Sequence, residues 1–307
     1  MFSWLLFHFI LIPLSWLPIT ILYFISNLAY LIVYRIIGYR KSVVINNLSN
    51  SFPKKTKTEI DLISKAFYKH LSYLLAESIK NLTISRQSLL DKLTVVNPEL
   101  MNTLFEEKKS VILLGNHMYN WEYLISAQNL LFKHQAIGIG TPLSNSVLNE
   151  KINNKRARFG MKITTNENYK SIINSSKNTP TATLVLGDQS PSKSANAYWT
   201  VFLNRQTPFF FGAEIMANEM NSAVVYCQLE MTTRGVYQLT LKEITKNPTE
   251  EQYGKILSTY ANYLQEDILN APSYWLWSHK RWKMQIPEDI ESTKAAHKKR
   301  FLKKFRS

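Results

Sequence analysis

Val111-Ile-Leu-Leu114, followed by Gly115-Asn116-His117-Met118-Tyr119-Asn120-Trp121-Glu122, decides the architecture of this chain. The first four residues are a short apolar run, consistent with a buried strand that ends at a glycine. Residues 121–131 then read as a helix. A strand that passes through a loop into a helix is the repeating unit of an α/β layer, and the pattern recurs downstream. Residues 136–139, 183–186, 223–229 and 236–241 predict strands, and residues 144–159, 212–220 and 251–269 predict helices. Upstream, Ile60, Ile63, Phe67, Leu71, Leu74 and Leu75 recur at three- and four-residue steps across residues 56–81. That spacing predicts an amphipathic helix, with Thr58 placed to cap its start. The expected fold class is α/β, a mixed sheet flanked by helices, with chemistry at the C-terminal ends of strands.

His117 falls on the loop between strand and helix, where a side chain is exposed on a rigid scaffold. Glu122 follows five residues later. On one continuous helix, five steps of about 100° set two residues about 140° apart, too far round to meet. With His117 on the loop and Glu122 in the first helical turn, the chain can fold the carboxylate back onto the imidazole. A carboxylate on one ring nitrogen fixes the tautomer and leaves the other nitrogen basic. Such a histidine can take a proton from a hydroxyl that attacks an acyl carbon. The plain alternative is an ordinary polar contact. No Gly-x-Ser-x-Gly elbow is present, and the single cysteine, Cys227, lies within an apolar strand pattern. A covalent acyl-enzyme is therefore not suggested.

The chain has 307 residues, of which 45% are hydrophobic, enough for a sizeable core and too many for a disordered basic protein. One cysteine excludes an intrachain disulfide and Cys-x-x-Cys sites. No His/Cys/Asp/Glu cluster has metal-ligand spacing, and no cofactor is implied. Lys plus Arg number 37 against 22 Asp plus Glu, a formal charge of +15. That balance points to anionic partners: nucleic acid, an acidic membrane surface or a phosphorylated substrate. No nucleic-acid motif accompanies the charge, so no nucleic acid is expected.

The first 34 residues contain no Asp, Glu, Lys or Arg. Pro13 and Pro18 interrupt a single straight span, which leaves residues 19–37 as the cleanest membrane helix and residues 1–17 as a kinked extension or an interfacial segment. Arg35, Arg40 and Lys41 follow at once, which sets the C-terminal side in the cytoplasm by the positive-inside tendency. The basic n-region and small-residue cleavage site of a signal peptide are missing. Three parts are expected: a membrane anchor over 1–37, an α/β domain over 38–293 whose polar, turn-rich start (38–55) is a connector, and a basic tail over 294–307. The tail interleaves Phe301, Leu302 and Phe305 with Lys and Arg, which suits either an anionic leaflet or solvent.

The loop segment resembles the His-x4-Asp/Glu motif of glycerolipid and lipid A acyltransferases, and its Asn-Trp-Glu form looks like the late acyltransferases of lipid A biosynthesis. These are the Kdo-lipid A lauroyl or myristoyl transferases. Four further blocks resemble that family in order: Arg158-Phe159-Gly160, Asp188-Gln189, Phe210-Phe211-Gly212, and the aromatic-basic stretch from Tyr274 to Lys283. After Gln189 the chain departs from the pattern, with Ser190-Pro191-Ser192 and a polar, glycine-poor stretch to Arg205.

The resemblance implies a glycerolipid acyltransferase-like fold at the cytoplasmic side of a bacterial inner membrane. It implies an acyl carrier protein thioester as donor and a lipid A precursor hydroxyl as acceptor. His117 is the expected base and Glu122 its orienting acid. Arg158 is expected to bind phosphate or steady an oxyanion, its alternative being a surface helix charge. Asp188 orients polar substrate groups or caps a turn. Asn116, Gln189 and Gly212 are expected beside the substrate, and Arg156, Trp121 and Arg281 further out. Other acceptors, a lysophospholipid or an aminolipid, are the alternative activity, and an anchored anionic-lipid-binding protein is the non-enzymatic one.

Overall fold

The run Val111–Gly115 is buried at every position and lies at the centre of a seven-stranded sheet. The structure, a computed structural model, describes residues 2–176, 179–192 and 194–306. Its strands are β1 (Leu93–Val95), β2 (Val111–Gly115), β3 (Gln135–Ile139), β4 (Lys162–Thr164), β5 (Thr181–Leu186), β6 (Ala197–Phe202), β7 (Arg205–Phe210), β8 (Ala223–Thr233) and β9 (Val236–Thr245). The sheet order is β1-β9-β8-β2-β5-β3-β4, parallel throughout except for the β8–β9 hairpin. β6 and β7 form a separate antiparallel pair. The five strands expected from apolar runs are all present. β1 and β4 are three-residue edge strands, too short for a period-2 pattern, and β6–β7 alternates with polar residues that read as loop.

The longer helices are α1 (Ile19–Leu31), extended by the wider turns of Ile32–Ile37, then α2 (Lys41–Ser51), α3 (Lys57–Asn81), α4 (Trp121–Leu131), α5 (Ser146–Ala157), α6 (Gly212–Met220), α7 (Lys255–Asn270) and α8 (Ile290–Phe305). The expected connector over 38–55 is largely the helix α2. Its Val44 and Leu48 are fully buried, and Asn47 donates to the carbonyls of Trp277 and His279. Burial of two apolar residues four apart outweighs the weak helix propensity of the asparagines. The cap of α3 is Thr56 rather than Thr58. Its hydroxyl accepts from the Glu59 N–H while the Glu59 carboxylate accepts from the Thr56 N–H, a capping box.

The N-terminal arm leaves helical geometry at Leu17, the residue before Pro18, as the proline demands. Ile19–Ile37 has 19 residues and a mean hydropathy of 1.6, and at about 1.5 Å per residue it measures about 28 Å, long enough to cross a membrane. One side of this helix is fastened to α3. Tyr23 Oη donates to Glu77 Oε1 at 2.6 Å, and Tyr34 Oη to Asp61 at 3.3 Å. Just before the helix, Lys80 Nζ holds the carbonyls of Ser15 and Leu17. The other side exposes Phe24, Leu28, Leu31, Ile32 and Ile36. A soluble surface rarely carries so continuous an apolar strip, which marks a contact with lipid or protein.

At the other terminus, α8 begins at Ile290, so position 294 falls inside a helix rather than at a boundary. His297 and Phe301 are buried against Phe211 and Tyr253, and Tyr253 Oη lies 2.6 Å from His297 Nδ1. Lys298, Lys299 and Lys303 stay exposed on the outer face.

Candidate active site

The register of two neighbouring strands brings the site together. In the parallel pair β2–β5, Gly115 lies opposite Leu186. Two residues further along each strand, His117 and Asp188 come side by side where both chains leave the sheet. The His117 N–H donates to Asp188 Oδ2 at 2.8 Å, and His117 Nδ1 lies 2.6 Å from Asp188 Oδ1. Trp275 Nε1 also donates to Asp188 Oδ2, at 2.8 Å. Burial alone would raise the Asp188 carboxyl, but the adjacent His117 and the Trp275 indole outweigh it and hold the group down at about 2. An ionised carboxylate only accepts, so it fixes the proton on His117 Nδ1 and leaves the lone pair on Nε2. Gln189 Nε2 lies 3.2 Å from that Nε2, as an amide donor to a basic nitrogen would. The His117 side chain is 13% exposed, so its outer edge is reachable.

The expected pairing of His117 with Glu122 is not formed. Glu122 does sit in the first turn of α4, but its carboxylate turns to α5 and takes Arg156 in a two-pronged grip, at 2.9 Å from Nε and 2.5 Å from Nη2. The physical reason is twofold. Asp188 already occupies His117 Nδ1, and a guanidinium offers a carboxylate two parallel donors where an imidazole offers one. Burial would lower the Arg156 guanidinium, but the Glu122 charge outweighs it and holds it above its ordinary value. Trp121 stays beside the histidine, its ring 4.9 Å from the imidazole and edge-on.

Arg158 also departs from expectation. It closes the C-terminus of α5, donating to the Lys155 carbonyl at 2.5 Å and to the Ile84 carbonyl at 3.2 Å, and it lies over the Phe159 ring. Unpaired carbonyls at a helix end attract a guanidinium, and Nη1 and Nη2 are both engaged by the chain itself. Burial lowers it to about 10. Arg281 is fully buried, donates to the Pro208 carbonyl at 2.6 Å and lies over Phe209. Burial lowers this guanidinium to about 10, while the nearby Asp188 charge opposes the fall.

Asn116 is buried and shapes the loop. Its amide donates to Tyr226 Oη, and its carbonyl accepts from the Met118 N–H. Gly212 opens α6 with an ordinary backbone, and a Cβ there would meet nothing within 4 Å, so packing does not require glycine. His279 Nε2 accepts from the Ser190 N–H at 3.2 Å, and burial pushes this ring down to about 4, so it is neutral. Among the described residues no His/Cys/Asp/Glu group is arranged to hold a metal ion.

Sequence reading missed two supports of the loop. Glu77 is buried, with Tyr23 and Tyr237 hydroxyls and the Asn120 amide donating to it at 2.6, 2.7 and 2.6 Å. Asn120 in turn caps α4 through the Tyr123 N–H. The signal was present: Glu77 lies three residues after Leu74 on the apolar stripe of α3, where a solvated carboxylate does not belong. Trp275 was read only as part of the aromatic-basic stretch from Tyr274 to Lys283, yet its indole donates to Asp188.

No curated protein matches the chain closely enough to count as a relative. The family model described as bacterial lipid A biosynthesis acyltransferase matches residues 1–284, which takes in the N-terminal arm, the whole sheet and every side chain of the dyad. The chain belongs to the bacterial lipid A biosynthesis acyltransferase family.

Proposed function

We propose that the protein moves a fatty acyl chain from an acyl carrier protein thioester to a hydroxyl of a lipid A precursor, with His117 as the general base and Asp188 as its partner. The observation that carries this reading is the buried Asp188 on His117 Nδ1 with Nε2 at an open edge. His117 Nε2 takes the hydroxyl proton as the oxygen attacks the thioester carbonyl. The tetrahedral intermediate collapses, the C–S bond breaks, and the imidazolium returns the proton to the leaving thiolate. Asp188 stabilises the imidazolium between the two transfers. Gln189, whose amide lies beside Nε2, is the nearest side-chain donor for the developing oxyanion. The Glu122–Arg156 pair ties α4, which begins at the catalytic loop, to α5.

The charge of +15 suits an acidic carrier protein and a phosphorylated lipid. The exposed apolar strip of the arm and the cations that follow it support a site on the cytoplasmic surface of the inner membrane, where acceptor and product chains stay in lipid. The test is transfer from acyl carrier protein to a lipid A precursor by the purified full chain. His117→Ala is expected to lower turnover by about 10² to 10⁴. Wild-type turnover in a folded His117→Ala protein would overturn the base assignment. Lipid mass spectrometry of a deletion strain that finds lipid A unchanged and phospholipid or aminolipid altered would overturn the acceptor.

A further inference from the structure

Beside the arm, one face of α3 and the β8–β9 hairpin line a half-open cavity of about 250 Å³. Its walls carry Lys69, His70 and Tyr73 from α3, Arg234 from the hairpin, and Ser273 and Tyr274. Neither Lys69 nor Arg234 has a carboxylate partner among the described residues. Both are nonetheless held in place by aromatic rings. The Arg234 guanidinium lies 4.6 Å from the centre of the Tyr23 ring and 5.3 Å from that of Tyr73. Lys69 Nζ lies 5.4 Å from the centre of Tyr73 and 5.6 Å from that of Tyr30. Tyr73 thus stands between two cations, neither in an ion pair with a carboxylate among the described residues.

The remaining charge accounting favours an anion. Burial pushes the His70 imidazole down to about 4, so it adds no charge at neutral pH. Glu77 also lines the cavity, but it is buried and both its oxygens are taken by Tyr23, Tyr237 and Asn120. The cavity therefore presents the cations of Lys69 and Arg234, with the Ser273 hydroxyl and the Tyr73 and Tyr274 phenols as neutral donors, while the Glu77 carboxylate in the wall forms an ion pair with neither. Its volume is below the roughly 300 Å³ at which pockets begin to take drug-sized ligands, which fits a head group and leaves no room for chains. Tyr23 and Tyr30 belong to α1, whose other face is the exposed apolar strip, so the two cations stand at the level where lipid head groups would meet the protein.

We propose that this cavity binds the phosphoryl oxyanion of a membrane lipid head group between Lys69 and Arg234. The site bears on the catalytic loop. Tyr274 in the cavity wall stacks on Tyr119 at 4.6 Å, and its carbonyl accepts the Tyr119 N–H at 3.1 Å. Tyr119 is two residues from His117 and holds a left-handed φ of 52°, a conformation kept only by its surroundings. A bound head group packs the wall that holds this residue. The site is separable from the acyl-transfer reading, because its readout is binding.

The experiment is native mass spectrometry of the full chain released from micelles doped with phosphatidylglycerol or with phosphatidylcholine. The wild type is expected to retain phosphatidylglycerol in preference. Lys69→Ala combined with Arg234→Ala is expected to lower that retention about tenfold or more, the loss of two charge-assisted contacts. Lys298→Ala with Lys299→Ala, on the exposed face of α8, is expected to leave it unchanged, which separates this site from general surface charge. The charge-preserving pair Lys69→Arg and Arg234→Lys is expected to restore retention in a protein of equal melting temperature. Undiminished retention in the double alanine variant, or equal loss in both pairs, overturns the proposal. Displacement of the lipid by millimolar inorganic phosphate overturns the lipid assignment in favour of free phosphate.

Discussion

Replacing Asp188 with asparagine isolates the role of its charge, because the side chain keeps its shape but becomes half donor. Three protein donors converge on the carboxylate: the His117 N–H and Trp275 Nε1–H on Oδ2, and His117 Nδ1–H on Oδ1. Asparagine has one acceptor oxygen. With that oxygen at the Oδ2 position, both fixed donors are satisfied and the new NH2 faces His117 Nδ1. With the oxygen at Oδ1, the NH2 faces two fixed N–H groups instead. The first arrangement wins by two buried donors, at about 1–3 kcal/mol each. It forces the His117 proton onto Nε2, the nitrogen that has to be basic. The base-competent tautomer falls by about 30-fold or more. Loss of the charge that stabilises the imidazolium adds to this, so turnover should drop by about 10² to 10⁴ overall. The assay is single-turnover acyl transfer by full-length Asp188→Asn, with ¹⁵N spectra of labelled histidine to read the tautomer. Transfer within about threefold of wild type would refute the assignment. So would a tautomer signal untouched in Asp188→Asn and altered in Glu122→Gln, since that returns Glu122 to the role expected from the sequence.

Three further outcomes follow from the packing. Glu77→Ala leaves two tyrosine hydroxyls and the Asn120 amide without their acceptor, so it should cost about 3–5 kcal/mol, read as a lowered melting temperature. Gly160→Ala should cost about 1–3 kcal/mol in the same assay, because Gly160 holds φ at +103° and a Cβ there would stand 2.5 Å from Asn129 Nδ2; an unchanged melting temperature contradicts the geometry. Asp188 has a folded pKa near 2 against an ordinary 3.8. Its depressed value stabilises the fold above about pH 4, and that contribution, about 2 kcal/mol, is lost as pH falls towards 2. Asp188→Asn should therefore flatten the acid limb of the stability curve between those values, and an identical limb in both proteins counts against a depressed Asp188.

The central layer was legible because its signals are local. β2, β3, β5, β8 and β9 are apolar runs, and α4 and α6 begin and end at the residues their patterns predict. Partner choice at the site was not local. Glu122 is near His117 in sequence, and Asp188 is 71 residues away, joined to it only through strand register. Once β2 and β5 are taken as neighbours in parallel, counting two residues past Gly115 and past Leu186 yields the pair. The missing information was strand order. Arg156 and Arg158 were expected at substrate, and their partners were hidden for a related reason. They share a helix end, and only the tertiary position of Glu122 and of the Ile84 carbonyl decides which one meets a carboxylate and which one closes a turn. α2 was misread because its asparagines speak for a loop, whereas Asn47 is used to anchor the segment that follows Trp275.

The fastening of the arm has a mechanical consequence. A rod free along its length can pierce a bilayer upright. One that is pinned at Ser15, Leu17, Tyr23 and Tyr34 to a charged helix of the body turns only with the body, or by tearing those pins. If that face meets a bilayer, Phe24, Leu28, Leu31 and Ile36 form its keel and the body rides with it. Glu77 holds the keel through Tyr23 and the His117 loop through Asn120, so one buried carboxylate joins the two.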